Sequence, residues 1–190
     1  MFLLRDDINE IASLFKSGKL ICFPTDTVWA IGCDATNPVA ITQLRALKQL
    51  PDQEGLVVLA ADTKMVKDYA APLPPRIETL LELHQRPLTL VYPQNLQFPK
   101  NVTAKDGSVA VRVVKEEFCT ALLQTLGLPI IATTANLFGS PIPSTFGGIS
   151  SEILKSVDYV VKYKQDDKTP GSPSPIARLD ASQELEFIRE

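Results

Sequence analysis

Three polar interruptions of otherwise apolar stretches carry the side chains best able to do chemistry in this 190-residue chain. They are Pro24-Thr25-Asp26-Thr27, the single Arg112 inside Val109-Ala110-Val111-Arg112-Val113, and Thr133-Thr134-Ala135-Asn136. Hydroxyls and a carboxamide orient a small polar ligand, and a guanidinium grips a carboxylate or phosphate through two parallel hydrogen bonds. In α/β proteins ligands gather just beyond strand ends, so three such breaks in one chain suggest one cavity. The same residues also suit ordinary turns and a surface-facing arginine, and composition and periodicity alone leave both readings open. If Arg112 faces a cavity from a strand, it carries little packing weight, and its removal should leave the fold intact.

Several chemistries are excluded. Neither G-x-x-x-x-G-K-[ST] nor G-x-G-x-x-G occurs, so any nucleotide is held without a P-loop or a Rossmann fingerprint. His84 is the only histidine, which rules out a histidine-based metal cluster and a Ser-His-Asp triad. It stands next to Leu83 at an expected helix end and is read as structural. Cys22, Cys33 and Cys119 are odd in number, lack C-x2-C spacing and sit among apolar neighbours, so they read as buried free thiols of a reducing cytoplasm.

These residues must be positioned by an ordinary globular core. Hydrophobic residues make up 45% and charged ones 22% of the chain, and no Gly/Ser-rich or charged linker divides it, so a single domain over 1–190 is expected. With 19 basic and 22 acidic residues the net charge is −3, which gives no bulk attraction to nucleic acid or anionic membrane. Residues 1–4 are too short an apolar run for a signal sequence, and no stretch approaches the ~20 apolar residues of a spanning helix.

Along the chain, Ile8, Ile11, Ala12 and Phe15 follow helical spacing up to Gly18. Residues 20–23 and 28–33 read as strands. Asn37-Pro38 caps a helix that runs through Ile41, Leu44 and Leu47 to Lys48. Strand 56–60 leads to a helix capped by Asp62, and Pro74-Pro75 opens another. Residues 88–92 and 108–114 are strands; in the latter Arg112 alternates against the row Val109, Val111, Val113. A helix through Phe118 and Leu122 closes at Gly127, strand 129–132 follows, and 133–136 reads as a polar loop. The remainder offers a helix near 152–156 and strands at 159–163, 176–179 and 185–188. Such alternation gives an α/β fold with a mixed sheet.

The run Phe23-Pro24-Thr25-Asp26-Thr27-Val28-Trp29-Ala30-Ile31-Gly32-Cys33-Asp34-Ala35 resembles the opening signature of the YrdC-like threonylcarbamoyl-adenylate synthase family. Pro87-Leu88-Thr89-Leu90-Val91, Val109-Ala110-Val111-Arg112-Val113, Pro129-Ile130-Ile131-Ala132-Thr133-Thr134-Ala135-Asn136 and Ser174-Pro175-Ile176 match in the same order. The resemblance implies a twisted mixed parallel/antiparallel sheet flanked by helices, with a concave cavity and without the C-terminal domain of longer members. It implies an enzyme that joins L-threonine, bicarbonate and ATP into threonylcarbamoyl-AMP, with Mg2+, for tRNA N6-threonylcarbamoyladenosine modification.

Carried onto this chain, the resemblance places Thr25, Thr27, Trp29, Arg112, Thr134 and Ser174 around threonine, with Arg112 on its carboxylate and Trp29 where the family usually has tyrosine. Lys48, Thr89, Asn136, Ser144 and Arg189 fall on the nucleotide side, and Lys48, Thr134 and Asn136 take the catalytic roles. The family's Lys-x-Arg-Pro is here Lys48-Gln49-Leu50-Pro51, its Asn-Pro-Leu is Glu54-Gly55-Leu56, its histidine after the next strand is Leu59, and its late Ser-Thr is Ser174-Pro175. By this carry-over the threonine-side positions survive better than the ATP-side ones. Gln49-Leu50-Pro51-Asp52 resembles instead the paralogous YciO-type branch, a non-synthase alternative. A further alternative is double-stranded RNA binding through Lys100, Lys105, Arg112 and Lys115, where the interleaved Asp106, Glu116 and Glu117 cancel much of the charge. Assembly with other tRNA-modification proteins is a third.

Overall fold

The computed structural model describes residues 6–51, 54–70, 72–93, 97–179 and 184–189; the apolar run 1–4 and Asp52 lie outside them. Six helices are described: α1 (Ile8–Lys16), α2 (Pro38–Lys48), α3 (Thr63–Tyr69), α4 (Pro75–Leu83), α5 (Glu117–Leu126) and α6 (Ser151–Ser156). Nine strands are described: β1 (Ile21–Phe23), β2 (Ala30–Asp34), β3 (Val57–Ala60), β4 (Thr89–Tyr92), β5 (Val109–Val113), β6 (Ile130–Thr134), β7 (Tyr159–Val160), β8 (Ile176–Leu179) and β9 (Leu185–Arg189).

The helix starts follow local chemistry. The side chains of Asp7, Asn37 and Asp62 each accept hydrogen bonds from the first free N–H groups of α1, α2 and α3, which satisfies donors that have no partner within the helix. The expected stops at Gly18 and Gly127 both adopt left-handed backbone, φ 75° and 72°, a conformation glycine takes without steric cost.

The strands form one sheet in the order β7-β1-β2-β6-β3-β5-β4-β8-β9. Pairs β1–β7, β3–β5 and β4–β8 are parallel and the other five are antiparallel, as the alternating elements required. Side chains alternate between faces. Cys22, Ile31, Val58, Leu90, Val111 and Ile131 face α2, α3, α4 and α6 in one core cluster. Ile21, Phe23, Ala30, Leu59 and Ile130 face α1 and α5 in a second. Phe15, Phe23 and Phe118 are fully buried in that second cluster, each worth about 1.5–3 kcal/mol by the area removed from water.

Strand β2 begins at Ala30 where residue 28 is expected, and two further boundaries differ more instructively. Thr133 and Thr134 are not loop but the last residues of β6, paired with Ile31 and Ala30 of β2; β-branched threonines suit a pleated strand, and their polarity concealed it. Only Tyr159 and Val160 of the expected strand 159–163 pair with β1. No helix among the described residues is long and apolar enough to cross a membrane.

Candidate functional site

Helices α1 and α5 cover part of one sheet face and leave a cavity of about 390 Å³ on the rest, within the ~300–1,000 Å³ usual for small-molecule sites. Its lining includes Thr25, Thr27, Lys48, Arg112, Thr134, Asn136, Ser174 and Arg189. The three polar interruptions therefore meet on one face, as the placement at strand ends predicts.

Arg112 sits on β5 opposite the valine row, 6% exposed. Its Nη2 lies 3.1 Å from Asp26 Oδ1, an ion pair with both side chains only 7% exposed. The remaining contacts are long: Nη1 to Ser174 Oγ and Nη2 to Thr25 Oγ1, both 3.4 Å, while Nε has no hydrogen-bond partner. The Thr25 hydroxyl donates to Val28 O at 2.7 Å and accepts from Thr27 N at 3.1 Å, so the 24–27 turn is folded on itself and holds Thr27 at the cavity wall. Burial of the Arg112–Asp26 pair runs against the expectation that Arg112 carries little packing weight, because deleting it would leave a buried carboxylate without its partner.

Lys48, the last residue of α2, is 2% exposed. Its Nζ donates to Thr134 O and to Asn136 Oδ1, the latter at 3.1 Å, and Thr134 Oγ1 donates to Asn136 Oδ1 at 2.6 Å. Burial lowers the Lys48 pKa to about 8. Gln49 ends α2 with φ 56°, so that Leu50 N returns to Arg45 O at 3.0 Å and the chain turns along the cavity. Arg45 fixes that turn. Its guanidinium donates to the carbonyls of Pro51, Glu54 and Asn101 at 2.5, 2.8 and 3.2 Å.

Arg189, the last residue of β9, donates through Nε and Nη2 to Ser174 O at 3.2 and 2.7 Å. Burial, then the neighbouring Arg112 charge, push its pKa below the usual arginine value. Beneath Ser174, Thr89 is fully buried and its Oγ1 lies 2.7 Å from Ser174 Oγ. Thr89 does not line the cavity; it positions Ser174 from below.

Two further expected site residues lie outside the lining. Trp29 precedes Ala30, which lines the cavity, and alternation turns Trp29 to the other face, where its ring packs on Phe146 at 4.8 Å. Ser144 is exposed outside the lining, and its carbonyl accepts from Gly171 N at 2.8 Å. Gly171 itself gave no sequence signal, yet a Cβ there would stand 1.9 Å from Thr27 O. The segment carrying Pro173 and Ser174 is thus seated directly on the 24–27 turn.

The Sua5/YciO/YrdC family profile, described as "Telomere recombination", matches residues 13–190. The chain belongs to this family. Relatives named threonylcarbamoyl-AMP synthase include one from Photobacterium profundum, 30% identical over 93% of this chain and 95% of its own length. Another, from Xanthomonas euvesicatoria, is 28% identical over 92% and 93%. Among solved structures, P. abyssi Sua5 complexed with L-threonine superposes with a TM-score of 0.79 at 26% identity, covering 90% of this chain and 50% of that one. The chain thus spans about half the length of Sua5. E. coli YciO superposes with a TM-score of 0.80 at 23% identity over 100% and 90%, which shows the shared fold.

The positions at which the sequence departs from the family signature have definite places. Leu50 is half-buried against the larger core cluster and lines the cavity, as does the exposed Glu54. Leu59, where the resemblance implies a histidine, is fully buried within β3 beside its register partner Arg112, packs in the cluster of α1 and α5, and does not itself line the cavity. Of the four basic residues considered for RNA, Arg112 is buried, and Lys115 Nζ is committed to Leu81 O at 2.7 Å. Half of that patch is therefore unavailable to phosphates. All three cysteines are free and buried, and burial pushes the Cys22 thiol up to about 12.

Proposed function

We propose that this chain is a threonylcarbamoyl-AMP synthase built as one domain over 1–190, condensing L-threonine, bicarbonate and ATP. The observation that carries the reading is the convergence on one cavity of a buried arginine with an unpartnered Nε and a buried lysine beside Thr134 and Asn136. In this reading the threonine carboxylate completes the coordination of Arg112, and Thr25, Thr27 and Ser174 meet the polar remainder of the amino acid. The amine attacks the bicarbonate carbon with loss of water to give a carbamate. A carbamate oxygen then attacks the α-phosphorus as the bond to the β-phosphate oxygen breaks and pyrophosphate leaves.

Lys48 faces the charge that develops on the phosphates, and its hydrogen bonds to Thr134 and Asn136 hold it there in advance. Arg189 adds a second cation from β9. Mg2+ is read as the companion of the ATP phosphates, which supply most of its oxygen ligands in such sites. A role in tRNA modification, with three free thiols, supports a cytoplasmic setting.

Leu50 and Glu54 in the lining favour one second reading, a paralogue that binds threonine but not ATP. Calorimetric titration with L-threonine, then with ATP, plus detection of pyrophosphate, separates the two. The synthase reading expects both ligands to bind and pyrophosphate to appear only when threonine, bicarbonate and ATP are all present. Threonine binding without ATP binding or pyrophosphate overturns it in favour of the paralogue.

A further inference from the structure

We infer that Asp26 sets the ligand class of the cavity, making it select a zwitterionic amino acid over a simple carboxylate of the same shape; this rests on the reading of the cavity as an amino-acid site. Asp26 and Arg112 form a buried pair at 3.1 Å, so the guanidinium that must receive a ligand carboxylate already holds one. Asp26 is itself poorly satisfied. Its Oδ1 has no hydrogen bond, and Oδ2 accepts only a 3.3 Å contact from Lys115 N. Its charge is therefore quenched mainly by Arg112.

A ligand that brings only a carboxylate places a second anion on one guanidinium in water-poor surroundings, where like charges within ~4–6 Å shift equilibria by about ten- to a thousandfold. A ligand that carries its own ammonium adds no net charge and escapes most of that penalty. The other charged groups nearby do not remove it. Arg189 lines the same cavity and its charge reaches Arg112, but its Nε and Nη2 donate to Ser174 O, so it does not pair with Asp26 in place of Arg112. Lys115 Nζ donates to Leu81 O and Glu82 O, and Glu116 pairs with Lys164 at 3.3 Å. Asp26 does not need to touch the ligand; it acts through Arg112 as a positioning and charge-balancing residue.

The test compares L-threonine with 3-hydroxybutyrate, which keeps the carboxylate, hydroxyl and carbon skeleton and lacks only the amine. Dissociation constants are measured for the wild type, Asp26→Asn and Asp26→Glu. The wild type should prefer threonine by tenfold or more. Asp26→Asn, which keeps the shape and removes the charge, should shrink that ratio at least tenfold, chiefly by tightening 3-hydroxybutyrate. Asp26→Glu should keep the preference. A merely structural role would weaken both ligands together and leave the ratio unchanged, which overturns the inference. Should Asp26→Asn fail to fold, a wild-type ratio near one overturns it without any variant, and loss of the preference in a folded Asp26→Glu does the same. If neither ligand binds the wild type, the amino-acid reading of the cavity falls and this inference with it; if both bind equally, only the role of Asp26 falls.

Discussion

Lys48 Nζ and Asn136 Oδ1 meet at 3.1 Å across 88 residues of chain. One ends α2, the other follows β6, and the contact joins the two segments that line the proposed nucleotide side. The hydrogen bond orients the ammonium, while burial makes its charge costly and draws the Lys48 pKa down to about 8 from the ~10.4 of a free lysine.

That shift gives a pH signature. The charged form is disfavoured in the folded state, so the destabilisation is complete below about pH 8 and is relieved as pH rises toward ~10, where the unfolded lysine also loses its proton. Phosphate binding needs the charged form. ATP affinity should be flat up to about pH 8 and then fall by roughly tenfold per unit as binding must take up a proton. Titrations from pH 7 to 9.5 check this, and Lys48→Met should flatten the profile while weakening ATP throughout. A wild-type affinity that does not change above pH 8 excludes Lys48 from the phosphate site.

The Arg112–Asp26 pair makes a stability prediction. Arg112→Ala leaves Asp26 buried and unpaired, a loss of about 3–5 kcal/mol for a broken buried pair, equivalent to roughly 2–4 °C of Tm per kcal/mol in a chain of this size. Combining it with Asp26→Asn should recover much of the loss, because the stranded charge is gone, without restoring threonine binding. Thermal melts of the single and double variants measure the recovery. Equal melting of wild type and Arg112→Ala would show that the pair carries no structural weight.

A third prediction concerns Gly171, whose Cβ position lies 1.9 Å from Thr27 O. Gly171→Ala must lift the segment bearing Pro173 and Ser174, since backbone on the other side cannot yield as a flexible side chain would, and such overpacking costs about 1–3 kcal/mol. Thr27 and Ser174 both line the cavity, so threonine affinity should fall at least tenfold with the melting temperature. Titration and a melt on the same sample decide it; unchanged affinity would mean the segment does not shape the threonine site.

How far the sequence reveals this site depends on the range of the interaction. Helices were legible from caps and spacing at Asp7, Asn37 and Asp62, and the opposition of Arg112 to the valine row from strand alternation alone. Alternation equally foretells that Trp29 and Ala30 face opposite ways, whereas the resemblance placed Trp29 by motif position, and its ring packs on Phe146 outside the cavity lining. The Asp26–Arg112 pair and the hold of Arg45 on the carbonyls of Pro51, Glu54 and Asn101 were hidden for a different reason. They join segments brought together only by the completed sheet, and nothing in local periodicity encodes them. Gly171 was silent because close backbone approach leaves no compositional trace.

The last prediction addresses the missing cation. Leu50 and Glu54 line the same cavity as Lys48, so the wild-type chain should bind ATP weakly, and Leu50→Arg with Glu54→Asn should strengthen both ATP binding and pyrophosphate release. A guanidinium at position 50 supplies paired hydrogen bonds to phosphate, and loss of the carboxylate at 54 removes like-charge repulsion. One transition-state charge contact is worth ~2.7–4 kcal/mol, or about 10²–10³ in rate, so pyrophosphate release is the more sensitive readout. The opposing cost is packing, because Leu50 is half-buried against the core cluster that includes Leu44 and Leu56. The cavity side of position 50 gives an arginine somewhere to put its charge, which a closed core would not. The Arg45 grip on the Pro51 and Glu54 carbonyls is backbone-directed and survives both substitutions, so the turn should keep its shape. Melts establish that the double variant folds. If the folded double variant gains neither ATP affinity nor pyrophosphate release, position 50 does not face the phosphates, and the paralogue that binds threonine without ATP is the better account of this chain.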